Sequence, residues 1–370
     1  MSAEHFEVRY RLQGDDPVAM ARTIAVEQTI EFPQDLVTDA FVRDQVIARV
    51  VGLEAIQPDV SVATLRYRSH VVGRDLPQLL NVLFGNTSLL PGVRVEGLEL
   101  SDAMLAGFRG PRFGVVGLRS LAAAPSRPLL CTAVKPMGLP VPDLAELVYR
   151  YAMGGMDWIK DDHGLADQPF GRFEDRVVAC CAAVRRANRD SDGRCRYAPN
   201  ISGPADRIVQ RARFAKEHGA GGLLVAPGLM GFDTMRAIAD DDGIALPILM
   251  HPALLGGFLT SPNSGIAHHL LLGVFARLAG ADATIFPHSG GRFSFTPQQC
   301  GSIGAAAREP LGNLVPILPS PAGGMSLDRV GELRAFYGED VLFLIGGDLH
   351  RHGDITATCR RFRALVTQPV

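Results

Sequence analysis

The chain has 370 residues, of which 47% are hydrophobic and 21% charged, and 37 Lys and Arg against 39 Asp and Glu give a net charge of −2. This length predicts two domains, or one barrel with an appendage. The charge balance argues against an extended nucleic-acid surface or a polybasic membrane-binding face. The sequence shows no secretory signal, no membrane-spanning apolar run and no CxxC pair among six cysteines, so we expect a cytoplasmic protein with reduced thiols.

The first hundred residues alternate between strand-like and helix-like hydrophobic patterns. The predicted elements, in chain order, are strand 6–12, helix 17–29, strands 46–53 and 62–68, helix 76–84 and strand 93–98. This order is that of a ferredoxin-like α+β domain, which we place at residues 1–117.

After a loop rich in Gly and Pro, short apolar runs recur about every 30 residues, each followed by a segment of helix length. The eight runs are 129–134, 158–160, 197–200, 222–226, 248–251, 283–286, 315–318 and 342–345. Eight consecutive units predict an α/β fold of the (β/α)8 (TIM) barrel type, which we place at residues 118–370. Because such barrels hold catalytic groups at the carboxyl ends of their strands, polar residues after each run are the candidates for function.

Two lysines, an aspartate and a histidine follow three of these runs. Lys160 and Asp162 should point to the same side of their strand, and Asp161 to the other. This arrangement predicts either a Lys–Asp ion pair or a divalent metal, for which a lysine that had reacted with CO₂ would supply one more oxygen. Lys135 could be a general base or a Schiff-base nucleophile, and His251 a catalytic or a core histidine.

Glycine pairs follow the last two runs, at Gly323–Gly324 and Gly346–Gly347. Glycine lets backbone N–H groups approach an anion closely, and barrels often bind phosphate after their last two strands. The pairs therefore favour a phosphate site over two ordinary tight turns. Arg292 lies in a loop after the sixth run and would add positive charge at the same end.

Nine short motifs along the chain match one known family. They are AVEQT (25–29), GN (85–86), GPRFG (110–114), RPLLCTAVKP (127–136), GGMDWIKDDHG (154–164), QPFGRFEDR (168–176), RLAGAD (277–282), AGGM (322–325) and IGGD (345–348). On these motifs the chain resembles the RuBisCO large subunit, and specifically the RuBisCO-like proteins, over nearly its whole length.

The resemblance implies that Lys160 is carbamylated and binds Mg²⁺ together with Asp162 and the residue after it, and that Lys135 is the base of an enolisation. It also implies an antiparallel homodimer, in which Glu27 and Asn86 complete the active site of the partner. The first phosphate site of the family matches four glycines of this chain: Gly323, Gly324, Gly346 and Gly347.

Six positions depart from the pattern of the true carboxylases. They are His163 for a glutamate ligand, Met137 for a lysine, Pro252 for an arginine, Ile285 for a histidine, Arg292 for a lysine and Ala322 for a serine. These departures argue against RuBP carboxylation. The groups that hold a second phosphate in the family are lost. The substrate predicted for this chain is therefore a sugar monophosphate whose other end is neutral or apolar. His163 is either a metal ligand, which would allow Mn²⁺ or another transition ion beside Mg²⁺, or an acid–base group.

The activity that fits best is metal-assisted enolisation and proton transfer, as in the 5-methylthioribulose-1-phosphate isomerase of methionine salvage. Lys135 or a neighbour would remove the proton, and His163 or His251 would return it. Two relatives in the family remain alternatives, a 2,3-diketo-5-methylthiopentyl-1-phosphate enolase and a decarboxylase of the 3-oxo-isoapionate-4-phosphate type. Two hypotheses of other classes are an aldolase with Lys135 as Schiff base and a non-catalytic sugar-phosphate binder.

Overall fold

The computed structural model describes residues 4–367, which form two compact units. The first unit includes residues up to 109, together with 254–271 and 310–314, and the second unit includes the remainder. The sequence pattern predicted a boundary at residue 117, whereas the helix Gly114–Ala122 belongs to the second unit. The physical reason is that Val115, Leu118 and Ala122 of this helix belong to an apolar cluster with the barrel strands.

The first unit has the predicted strand–helix–strand–strand–helix–strand order. Its four main strands are β1 (His5–Gln13), β2 (Arg49–Gln57), β3 (Val60–Arg68) and β4 (Val93–Glu99). They form an antiparallel sheet in the ferredoxin-like order β4-β1-β3-β2, and the two-residue strand Gly265–Ile266 pairs in parallel with β4. The α-helices of this unit are Pro17–Glu27, Leu76–Phe84, Asp102–Leu105 and Gly256–Leu259.

Side-chain alternation builds the core of the first unit. Phe6, Val8, Tyr10 and Leu12 of β1 are fully buried, and the residues between them are more exposed. The Tyr10 hydroxyl donates a hydrogen bond to the carbonyl of Leu83 in the helix Leu76–Phe84, at 2.9 Å. The alternation of hydrophobic and polar residues in the sequence therefore indicates one buried face, as expected for a sheet covered by helices on one side.

The second unit contains eight parallel strands. They are β5 (Leu129–Val134), β6 (Trp158–Asp161), β7 (Arg196–Ala198), β8 (Leu223–Val225), β9 (Ile248–Met250), β10 (Ala283–Pro287), β11 (Leu318–Ala322) and β12 (Leu342–Leu344). Regular pairing gives the runs β12-β5-β6-β7 and β11-β10-β9-β8. A bridge between Asn200 and Leu224 joins β7 to β8, and the Ser320 hydroxyl donates to the Leu342 carbonyl at 2.8 Å between β11 and β12. These links complete the predicted (β/α)8 barrel.

Helices follow the barrel strands, as the spacing of the apolar runs predicted. The α-helices of this unit are Gly114–Ala122, Val141–Met153, Phe173–Ser191, Ile208–Glu217, Pro227–Met230, Phe232–Asp240, Phe275–Leu278, Pro297–Arg308, Val330–Tyr337 and Ile355–Thr367. Within residues 4–367, no helix is both long enough and apolar enough to cross a membrane. All six cysteines are free and buried.

The seventh barrel strand differs from its prediction. The sequence pattern placed it at 315–318, whereas β11 runs from Leu318 to Ala322 and includes two prolines. Proline lacks a backbone N–H and usually interrupts a strand, so the two prolines of the segment LPSPA hide this strand in the sequence pattern. Ser320 consequently lies inside the strand and is fully buried.

The amino-terminal half of the barrel is filled with apolar side chains. Trp158, Leu224 and Leu318 are among the residues that form one buried cluster there with the helix Gly114–Ala122. The members of this cluster are all apolar and offer no group for chemistry. The polar candidates for function lie instead where the strands end, which is the location predicted for them.

Candidate active site

Five predicted site residues meet at the carboxyl ends of the barrel strands. Lys135 directly follows β5, Asp162 follows β6, and the Lys135 amine forms an ion pair with an Asp162 oxygen. The Nδ1 atom of His163 lies 2.7 Å from the other Asp162 oxygen. The rings of His163 and His251 stack with centroids 4.6 Å apart. The Asp162 carboxylate is therefore shared between a lysine and a histidine, and the buried amine of Lys160 acts on it electrostatically.

Lys160 is the most enclosed of these groups, with 3% of its surface exposed. Its amine donates a hydrogen bond to the Asp161 carbonyl at 3.0 Å, and the alternative of a direct Lys160–Asp162 ion pair is not formed, because Asp162 pairs with Lys135 and His163. Burial lowers the pKa of Lys160. A lower pKa enlarges the neutral fraction of the amine, which is the form that acts as a nucleophile.

The electrostatics of Asp162 and His251 oppose each other. Burial would raise the pKa of Asp162, but hydrogen bonds from His163 and Lys135 hold it well below its usual range. For His251, burial first and then the charges of Lys160 and His163 lower the pKa to about 2. His251 Nδ1 accepts a hydrogen bond from the Ala253 N–H at 3.2 Å. His251 is therefore neutral and carries its proton on Nε2.

Asp161 points to the opposite side of β6, as the alternation along the strand predicted. Its fully buried carboxylate accepts hydrogen bonds from Arg176 Nε at 3.1 Å, the Tyr197 hydroxyl at 2.5 Å and the Asn200 backbone N–H at 2.9 Å. Arg176 comes from the helix Phe173–Ser191, whereas Tyr197 and Asn200 come from β7 and the residues directly after it. Asp161 thus anchors β6, whereas its neighbour Asp162 faces Lys135 and His163.

Two buried side chains fasten the loop that carries His163. The Asn200 side-chain amide donates to the carbonyls of His163 and Leu165, both at 3.0 Å. Arg176, which is fully buried, donates to the Ala166 carbonyl at 2.8 Å. Sequence reasoning missed this function of both residues. One feature of the sequence pointed to Arg176: the Asp161 carboxylate is directed away from the site, and a buried carboxylate requires a cation as its partner.

The glycine pair after β11 is conformationally required. Gly323 and Gly324 have φ values of +81° and +108°, which side chains rarely adopt. A Cβ atom on Gly324 would lie 3.1 Å from the Cα atom of Gly291, and the Arg292 N–H donates to the Gly323 carbonyl at 3.3 Å. The loop after β10 thus rests on this glycine pair, which leaves no space for side chains. The Arg292 side chain is exposed and stacks over the Phe293 ring.

The glycine pair after β12 lies next to the lysine of β5. A Cβ atom on Gly346 would lie 3.6 Å from Cε of Lys135, whereas a Cβ atom on Gly347 would meet nothing within 4 Å. The Asp348 carboxylate accepts a hydrogen bond from the Leu327 N–H at 3.1 Å and so ties the two glycine loops together. The candidate phosphate site and Lys135 are therefore neighbours.

Glu27 and Asn86 belong to the first unit, where the structure brings them together. The Asn86 side-chain amide donates to a Glu27 carboxylate oxygen at 2.9 Å. Asn86 is exposed and Glu27 partly exposed. Their expected contribution to a partner's active site remains a prediction.

The donors for a metal ion are incomplete in the unmodified chain. Across the described residues, no three His, Cys, Asp or Glu side chains are grouped so that they could hold a metal ion. Asp162 and His163 place an oxygen and a nitrogen side by side, and Lys160 interacts electrostatically with Asp162. A carbamate on Lys160 would add the missing anionic oxygens, so the residues fit a divalent ion only together with that modification.

Comparisons with known proteins agree with this fold and site. Residues 114–291 match the family model described as the ribulose bisphosphate carboxylase large chain, catalytic domain. The chain is 43% identical, over 90% of its length and 87% of the relative, to a protein from Rhodospirillum rubrum named 5-methylthioribulose-1-phosphate isomerase. It is 35% identical, over 80% of its length and 71% of the relative, to a protein from Geobacillus thermodenitrificans named 2,3-diketo-5-methylthiopentyl-1-phosphate enolase.

A crystal structure of a RuBisCO-like protein from Rhodopseudomonas palustris is similar over 99% of both chains, with 37% identity and a TM-score of 0.90. A (β/α)8 barrel with Lys, Asp and His side chains gathered at the carboxyl ends of its strands defines an α/β-barrel enzyme. The protein belongs to the RuBisCO large-chain family and is one of its RuBisCO-like members.

Proposed function

We propose that this protein is an isomerase that acts on 5-methylthioribulose 1-phosphate by proton transfer. The observation that carries the proposal is its 43% identity, over 90% of the chain, to the Rhodospirillum rubrum protein of that name. The geometry supports it, because a lysine, a shared carboxylate and two histidines lie together beside a glycine pair suited to one phosphate.

We assign a separate role in the reaction to each of these residues. The substrate phosphate binds over Gly323–Gly324 and Gly346–Gly347, with Arg292 as the nearby cation. Lys135, whose side chain is 32% exposed, removes the proton from carbon, since this side chain lies beside the second glycine pair. His163, whose side chain is 50% exposed, returns the proton to the neighbouring carbon. His251 is neutral and acts as a hydrogen-bond donor through its Nε2–H group.

A carbamylated Lys160 and Asp162 would hold Mg²⁺, which leaves His163 free for proton transfer, and the ion would polarise the oxygens of the bound hydroxy-ketone. The chain offers a clear test of the modification, because it contains only three lysines, Lys135, Lys160 and Lys216. With ¹³C-labelled bicarbonate and Mg²⁺, we expect a carbamate resonance in the ¹³C NMR spectrum of the wild type. The resonance should disappear in Lys160→Ala and persist in Lys216→Ala, the matched control. A resonance that survives in Lys160→Ala would contradict the assignment.

The activity itself is tested with three substrates. We expect the purified enzyme, with Mg²⁺ and bicarbonate, to convert 5-methylthioribulose 1-phosphate into a methylthio-pentulose 5-phosphate, followed by ³¹P and ¹H NMR. Lys135→Met should lower kcat by about 10²–10⁴-fold, which is the usual effect of removing an acid–base group. Conversion of 2,3-diketo-5-methylthiopentyl 1-phosphate, or CO₂ release from 3-oxo-isoapionate 4-phosphate, at a higher kcat/KM would overturn the proposal in favour of the enolase or the decarboxylase.

We also propose a homodimer in which Glu27 and Asn86 of one subunit complete the active site of the other. The support is that these two polar side chains are joined to each other by a hydrogen bond and remain accessible to a partner.

A further inference from the structure

A cavity lies at the opposite end of the barrel from the candidate active site. Its volume is about 430 Å³, and its lining comes from residues directly before β5, β6 and β7 and from four surrounding helices. This volume falls in the range of about 300–1,000 Å³ that is usual for small-molecule sites. Four arginines line it: Arg127, Arg194, Arg360 and Arg363.

Two of the arginines share one buried carboxylate. Asp157, which is 3% exposed, accepts two hydrogen bonds of 2.7 Å from Arg127 and one of 2.7 Å from Arg363. The Leu130 N–H donates to the same carboxylate at 2.8 Å. Asp157 is thus fully satisfied, and two guanidinium groups surround a single negative charge.

The other two arginines are available to a ligand. In the part of the chain that the structure describes, neither Arg194 nor Arg360 forms a hydrogen bond or ion pair with another protein group, and both are exposed. Asp192 is the other carboxylate of the lining, so four positive charges face two negative ones. An anion that enters the cavity would therefore meet a net positive charge and two free guanidinium groups.

We propose that this cavity binds a small phosphate-bearing anion, held by Arg194 and Arg360 and supported by the Arg127–Asp157–Arg363 cluster. Guanidinium groups match phosphate because they offer paired N–H donors in one plane. The site is separate from the glycine pairs after β11 and β12, which lie at the carboxyl ends of the strands. It is also independent of the reaction that the enzyme catalyses.

The test uses inorganic pyrophosphate as the probe and isothermal titration calorimetry of the full-length protein. Arg194→Ala/Arg360→Ala should weaken pyrophosphate binding at least tenfold, about the effect of losing one or two charge-assisted hydrogen bonds. The matched control is Arg189→Ala/Arg361→Ala, which removes two exposed arginines that lie close in sequence to Arg194 and Arg360 but outside the cavity lining. It should change the affinity less than twofold.

Diffraction from crystals grown with pyrophosphate locates the ligand, and it should lie between Arg194 and Arg360. Equal loss of affinity in the two double variants would show only a general charge effect and overturn the proposal. Pyrophosphate density confined to the glycine pairs, or no binding at all, would overturn it as well.

Discussion

His163 and His251 show how two stacked residues of the same type acquire different chemistry. His251 is held by the Ala253 N–H, and burial lowers its pKa to about 2, so it remains neutral throughout the physiological range. His163 is more exposed, and its Nδ1 lies 2.7 Å from an Asp162 oxygen. Of the two histidines, His163 is therefore the one that a substrate can reach, and we assign proton return to it.

This difference predicts unequal effects of substitution. His163→Asn should lower kcat by about 10²–10³-fold, because the proton carrier is lost. His251→Gln should lower kcat by less than about tenfold, since the glutamine amide still places an N–H donor near the position of Nε2. Steady-state kinetics on both variants checks this expectation. An equal or larger loss in His251→Gln would assign proton return to His251 instead.

At the scale of elements, the loop after β6 owes its position to side chains from elsewhere in the barrel. Asn200 connects the end of β7 to the backbone of His163 and Leu165, and Arg176 reaches the same loop from the helix Phe173–Ser191. These contacts hold the backbone of the loop in which the His163 ring lies beside Asp162. Asn200 is accordingly a positioning residue.

We expect Asn200→Ala to lower kcat about tenfold or more and to lower the free energy of unfolding by about 1–3 kcal/mol, because two loop carbonyls lose their donor. Asn188→Ala is the matched control. Asn188 also fastens a loop, through hydrogen bonds of 2.9 Å to both the N–H and the carbonyl of Cys195, but at the amino end of β7. It should show a similar loss of stability with unchanged kcat. A similar fall in kcat in both variants would show that Asn200 contributes only to the stability of the fold and does not position His163.

Asp282 joins three elements at the amino end of the barrel. Its carboxylate accepts hydrogen bonds from the N–H groups of Phe113 and Gly114, at the start of a helix, and of Ile248, at the start of β9. Burial, the largest influence, raises the pKa of this carboxyl to about 6 from its ordinary value of 3.8, although the three hydrogen bonds oppose the shift. The native state therefore holds a proton at Asp282 at a pH where the unfolded chain has released it.

The sign of the resulting pH dependence follows. Below about pH 4, Asp282 makes its full contribution to the free energy of unfolding. This contribution decreases by about 3 kcal/mol as the pH rises from about 4 to about 6, and it is constant at higher pH. Asp282→Asn should be less stable than the wild type, because its NH₂ group cannot accept from the Ile248 N–H. The gap in unfolding free energy should narrow as the pH rises from about 4 to 6. Denaturant titrations at several pH values measure this gap, and a gap that widens would show that the hydrogen bonds outweigh burial.

At the scale of the whole molecule, the sequence contains most of the fold. The strand and helix periods of both units, and seven of the eight barrel strands, could be predicted because buried faces repeat at regular intervals. β11 could not be placed correctly, because Pro319 and Pro321 mask its pattern. The site residues that follow strands were predictable for the same reason of periodicity. The contacts of Asn200 and Arg176 were not, since they depend on how side chains from distant segments meet.

The proposed shared active site predicts complementation between inactive variants. Glu27→Gln and Lys135→Met should each have little activity alone, because each damages every site of its own homodimer. After the two are mixed, unfolded and refolded together, hybrid dimers would contain one intact site, which restores about a quarter of wild-type activity at most. Activity assays before and after refolding measure this recovery. A persistent lack of activity in the mixture, with sedimentation showing dimers, would contradict a site shared between subunits.

The short strand β6 carries neighbouring carboxylates with opposite duties, since Asp161 holds Arg176 in the barrel wall and Asp162 faces Lys135. Successive strand residues face opposite sides, so inserting or deleting one residue between Trp158 and Asp162 would exchange the two. Evolution can lengthen or shorten the loops around this barrel to admit new substrates. It has no comparable freedom within this strand, where a shift by one position would abolish the anchor and the chemistry in a single event.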